Sequence, residues 1–190
     1  MKRGLVLLSV LLLSPVVASI AVERQPFLES IPAWVNAESG SKVVQLTSQP
    51  VISTNVHMEQ RFASADGRRI AIERQPFGEP PELWVCDLKT TRLYRIGPGK
   101  AMTASSSRNV IYYLTPSPKT RLVRLKLSDL STCEIMAFPD ALKQRKLAIS
   151  HDEVSLVAGP FWLRDNLYQV DLIDVASGKR TTLCELADIP

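Results

Sequence analysis

Side chains that can move protons, hold a metal or carry charge into a binding cleft are sparse in this 190-residue sequence. There are two histidines, His57 and His151. His151 stands in the polar turn Ser150-His151-Asp152 and is expected to be solvated there, and His57 precedes an apolar run and is expected to be structural or on the surface. Two imidazoles are too few for a multi-histidine metal centre, so no metal ligand set is assigned and no catalytic residue is named. Three cysteines, Cys86, Cys133 and Cys184, lie about 50 residues apart in separate apolar runs without a C-x-x-C partner, which argues against a zinc site or a disulfide framework and for small core residues. The side chains best placed to bind something are Arg74, beside the segment Gln75 to Pro81, and Phe161, Trp162 and Arg164, in the segment Gly159 to Asn166. Aromatic rings next to arginine suit an anionic sugar, whose ring stacks on the aromatic face while the guanidinium pairs with its carboxylate. The plainer alternative, rings packed on the fold and arginines in solvent, is the favoured reading of these residues.

These segments need elements to position them, and the chain offers strands. With 45% hydrophobic and 22% charged residues the composition is globular. From Lys42 onward, short runs of Val, Ile, Leu and Tyr alternate with turn residues, and no segment keeps a convincing 3.6-residue period. The runs repeat in sets of four. The first set is Met58 to Ala63, Arg69 to Arg74, Leu83 to Leu88 and Arg92 to Ile96. The second is Ala101 to Ala104, Val110 to Thr115, Arg121 to Leu127 and Cys133 to Phe138. The third is Lys146 to Ile149, Val154 to Ala158, Leu167 to Asp174 and Thr181 to Leu186. Asp87, Lys126 and Asp174 are equivalent positions at or next to the ends of the third runs, at spacings of 39 and 48 residues, close to the ~40–50-residue period of propeller blades.

The expected fold is therefore all-β, a partial β-propeller of about three four-stranded antiparallel blades spanning about 58–97, 101–139 and 146–187. Residues 22–41 read as an extended leader, and Lys42 to Thr47 as a lone outer strand. Propellers close on themselves with typically 4–8 blades, because each blade buries its faces on its neighbours. Three blades leave two faces open, which predicts either further blades or self-association of the chain.

Three passages resemble the oligogalacturonate lyase family, itself kin to the Tol-associated periplasmic propellers. They are Val43 to Thr47 followed by Ser53-Thr54-Asn55, then Phe62 to Ile70 with Leu83 to Leu88, and Val110 to Tyr113. The resemblance runs from Gly40 to about Glu185. It implies a seven-bladed propeller that cleaves short unsaturated galacturonides by β-elimination in pectin breakdown, with a histidine base and a manganese site of histidines and a glutamine carried by later blades. An acidic oligosaccharide is the implied partner. The isolated chain, a fragment of that propeller, is expected to lack the activity and to hold no cofactor itself. The competing reading is a non-enzymatic periplasmic binding propeller of the Tol-associated kind.

The N-terminus points to export. Lys2 and Arg3 precede the apolar run Leu5 to Leu13, and small residues follow at Ala18, Ser19 and Ala21, which is the pattern of a secretory signal over 1–21. Its apolar run is short of the ~18 residues a membrane span needs, so no membrane association is expected after cleavage, and the chain is placed in the periplasm or outside the cell. Cleavage removes two basic residues and no acid, which lowers the formal charge of +4 by two. The remaining excess is small and scattered and gives no footprint for nucleic acid. The mature N-terminus is expected immediately after Ala18 or Ala21, and N-terminal sequencing of exported protein that still began at Met1 would contradict it.

Overall fold

A strand buried on one face alternates apolar and polar residues, whereas one buried on both faces is apolar throughout. Val110 to Leu114 is of the second kind, with all five residues buried, and Leu83 to Asp87 is buried along its length too. Such strands must lie in sheets that are covered on both sides. The structure, a computed structural model, describes residues 24–29, 31–55, 62–105, 107–116, 118–138, 146–164 and 167–187, with the backbone alone at 31–33, 55, 101–102, 146, 160–164, 167–168 and 186. The expected signal segment and His57 lie outside the described residues.

In chain order the strands are β1 (Pro26–Leu28), β2 (Ile31–Val35), β3 (Lys42–Gln45), β4 (Ile52–Asn55), β5 (Arg69–Gln75), β6 (Glu82–Asp87), β7 (Arg92–Pro98) and β8 (Lys100–Ser105). They continue with β9 (Val110–Leu114), β10 (Arg121–Lys126), β11 (Thr132–Ala137), β12 (Lys146–Ile149), β13 (Ser155–Arg164), β14 (Leu167–Asp174) and β15 (Arg180–Ala187). Three antiparallel sheets form, ordered β1-β7-β6-β5-β4, β11-β10-β9-β8 and β12-β13-β14-β15, and β2 pairs with β3 in a hairpin of its own. The fold is thus all-β, three blade-like sheets in sequence, as the repeats predict.

Two apolar seams join the blades. Ala71, Leu83, Val85 and Ile96 of the first meet Ile111, Tyr113, Val123 and Leu125 of the second, and Val110, Tyr112, Leu114 and Leu122 of the second meet Leu147, Leu156, Ala158 and Ile173 of the third. Fully burying one such side chain is worth roughly 1.5–3 kcal/mol, so each seam outweighs any single hydrogen bond in the fold.

The leader departs from expectation. Instead of one extended segment it contains β1, which adds a fifth strand to the first blade along β7 (Phe27 opposite Leu93), and β2, which pairs with Lys42 to Gln45. The strand expected to be alone therefore has a partner. The outer face of the first blade, expected to be open, is also covered: Ile72, Trp84, Cys86 and Leu93 are buried with Leu46 packed on them. Burial pushes the Cys86 thiol up to about 11 and leaves it inert. On the third blade Val157 and Leu183 remain exposed.

Neighbouring blades are also tied at one end. The turns between first and second strands each hold a residue with positive φ: Gly67 at 67°, Asn109 at 55° and Glu153 at 59°. Asn109 reaches back to the preceding turn, its Oδ1 accepting from the Ala65 amide at 2.5 Å. Glu153 does the same one blade later, accepting from the Ser105 and Ser107 hydroxyls and pairing with Arg108 at 2.6 Å. Burial would raise the Glu153 carboxyl, but these hydrogen bonds and Arg108 outweigh it and hold it below the usual range. Glycine suits the left-handed backbone at 153 better than glutamate does, yet Glu153→Gly is expected to destabilise the fold by about 1–2 kcal/mol, because the lost hydrogen bonds exceed the relieved strain. A thermal melt of the variant at or above the wild-type midpoint would contradict the clasp.

Candidate functional site

Since the clasped turns share one end of the blade stack, the connections between second and third strands, β5–β6, β9–β10 and β13–β14, lie at the other. In the first blade this connection is a tight turn at residues 76–79. Gly78 takes φ 75°, the Glu79 amide donates to Pro76 O at 3.2 Å, and Gln75 Nε2 donates to Glu79 O. The turn carries Phe77 wholly in solvent. In the second blade Thr115 fixes the connection, its hydroxyl donating to Lys119 O at 3.2 Å and accepting from the Arg121 amide at 2.9 Å. Lys119 there is exposed.

The third connection is shorter than the sequence suggests. Phe161, Trp162 and Arg164, expected in a loop, belong to β13, paired with Gln169, Tyr168 and Leu167 of β14. A break in register between Ala158 and Phe161 lets the strand continue. It turns on Gly159, at φ 145°, where an added Cβ would stand 2.9 Å from Gln169 O. Only glycine permits this approach of two backbones. Below it, Asp171 is fully buried between Gln169 Nε2 and Arg180 Nε, each at 2.5 Å.

Arg74 lies elsewhere. It is buried on the outer face of the first blade, its Nη1 2.7 Å from Glu29 Oε1 and its guanidinium 4.9 Å from the Trp84 ring centroid. The Phe27 ring meets Trp84 edge-on at 5.4 Å. Trp84 Nε1 donates to Glu82 Oε2 at 2.9 Å, and Glu82 in turn binds Arg95. Burial would raise the Glu82 carboxyl, but the hydrogen bonds from Arg95 and Trp84 prevail and keep it low. Arg24 completes the attachment by donating to the carbonyls of Arg95 at 2.9 Å and Ile96 at 2.8 Å, and to Leu130 at 3.4 Å. Residues 24–29 thus form a strap along the first blade, and Arg74 is engaged by the chain's own carboxylate. The structure does not bring it together with Phe161, Trp162 and Arg164, which belong to a sheet two blades away.

Glu29 and Arg24 escaped the sequence reading because their partners are 45 and about 70 or more residues distant and the leader has no periodicity. Phe77 and Lys119 were within reach, since Pro76-Phe77-Gly78-Glu79 is a turn signature. A manganese centre does not fit the described residues. No group of three His, Cys, Asp or Glu side chains converges among them, and His151 stands in a clasped turn at the end opposite the connections. No helix among the described residues is long and apolar enough to cross a membrane.

Stacked four-stranded antiparallel sheets with repeated turns at each end define blades of a β-propeller. No family model and no curated protein matches the sequence. Among solved structures the chain is similar to an oligogalacturonate lyase in complex with manganese, at TM-score 0.66 and 16% identity over 86% of this chain and 49% of that one. It is similar also to an oligogalacturonate lyase from Vibrio parahaemolyticus, at 0.65 and 14% over 87% and 49%. A prolyl endopeptidase matches at 0.53 and 16%, over 83% of this chain and 26% of its own. The chain spans about half the length of the two lyases. At these identities the likeness establishes the propeller-type fold.

Removing Glu29 would leave the Arg74 guanidinium buried without its counter-charge. Glu29→Ala is expected to cost about 3–5 kcal/mol, and adding Arg74→Leu to recover most of that. Equal melting temperatures for wild type and Glu29→Ala would show that the strap is not held by this pair.

Proposed function

We propose that these three blades are the oligosaccharide-binding portion of a lyase-type propeller that acts on short unsaturated galacturonides outside the cytoplasm. The observation that carries this reading is the extent of the match, which takes in nearly the whole chain against two separate oligogalacturonate lyases. The acidic sugar is met at the connection end. Arg164 pairs with a carboxylate and Phe161 or Trp162 stacks on a ring, as the residue types suit. Arg74, held by Glu29, serves the fold instead.

β-Elimination removes the proton at C5 of a uronate. That proton becomes acidic when the adjacent carboxylate is neutralised, which a divalent metal or a bidentate arginine does, and a base must then reach it. This chain contributes recognition and orientation, and His151 stands in a turn at the opposite end of the blades. The division of labour is that these blades hold the sugar and residues beyond them perform the elimination.

Titration calorimetry of the mature chain with digalacturonate tests the reading, together with the absorbance of newly formed 4,5-unsaturated product. Binding that weakens with salt and falls several-fold in Arg164→Gln is expected, with no product in the presence or absence of manganese. Absence of binding would sink the assignment, and turnover above a heat-killed control would sink the division of labour.

A further inference from the structure

Phe77 and Lys119 are exposed side chains at the connection end, on neighbouring blades. Phe77 is completely exposed, at 106% of its reference area. An isolated surface aromatic needs no explanation by itself, but this one is carried on a turn already fixed by the Glu79 amide and the Gln75 side chain. A ligand that stacks on the ring therefore need not order the backbone, and that lowers the entropic cost of binding. Lys119 stands on the next blade at the same end. Its carbonyl is anchored by Thr115, so its backbone is fixed as well. The nearby Arg121 is engaged by Glu134 at 3.0 Å. Among the described residues no ion pair holds Lys119.

We infer that Phe77 and Lys119 form a contact for an acidic oligosaccharide across the first two blades, with Phe77 stacking on a pyranose ring and Lys119 taking a carboxylate. The inference rests on the reading of the connection end as the sugar-binding end. Its chemistry follows from the neighbours. The C–H face of a sugar ring is apolar and packs on an aromatic face. Glu79, exposed in the Phe77 turn, repels an anion there and so assigns the ring to Phe77 and the carboxylate to the next blade.

Calorimetry of the full chain with trigalacturonate separates this proposal from the reading beneath it. Phe77→Ala is expected to weaken binding about 5-fold and Phe77→Trp to restore it, since an aromatic contact is worth about that factor. Lys119→Gln is expected to weaken binding about 5-fold and to flatten its salt dependence, with recovery in Lys119→Arg, as for an exposed charge-assisted contact. Both positions are exposed, so the variants fold. Wild-type binding with both variants unchanged would overturn this contact and leave the reading of the third blade standing. If the wild type does not bind at all, both fall together.

Discussion

Everything in this structure depends on one constraint, that each sheet has two apolar faces and neither tolerates water. The second blade meets it completely, with Val110 to Leu114 buried between its neighbours. The first blade meets it on one side with a sheet and on the other with the chain itself, through Leu46 above Ile72, Trp84, Cys86 and Leu93 and through Phe27 against Trp84. In stacked architectures stability is a sum of unit and interface terms, and the terminal units need special treatment. Here the two ends are treated differently. One is covered and fastened by a buried ion pair, and the other shows Val157 and Leu183.

The turn clasps show how a repeated backbone acquires differing side chains. All three turns need a left-handed residue, and glycine is the least strained choice. The first turn, with no clasped turn described before it, has glycine at 67. The second and third use Asn109 and Glu153, residues that tolerate the conformation less well but have a side chain long enough to reach the preceding turn. The local cost is exchanged for a bond between blades.

Strands whose signal is local were legible in the sequence. Lys146 to Ile149 and Leu167 to Asp174 match the observed strands to the residue, each an apolar run that ends in a polar turn, Ser150-His151-Asp152 and Ala176-Ser177-Gly178. What escaped was non-local. β1 is three exposed residues, and it is a strand only because β7, more than 60 positions later, offers an edge. β13 runs past its expected end because Gly159 allows a bulge against Gln169, which composition alone does not reveal. Arg74 was read from the sequence as a partner for a sugar carboxylate, whereas in the structure it lies over the Trp84 ring and pairs with Glu29. Residue types identified the chemistry, and the partner was set by topology.

The strap has a consequence for the order in which the molecule can be completed. Arg24 leaves the ribosome before any of its acceptors, which lie on β7 and, 106 positions later, at Leu130. Glu29 likewise waits for Arg74. This early segment therefore waits for its acceptors, and it settles only after two blades exist to receive it. Until then the free edge of β7 and the indole of Trp84 are uncovered, so the docking of residues 24–29 marks the moment when the first blade is sealed.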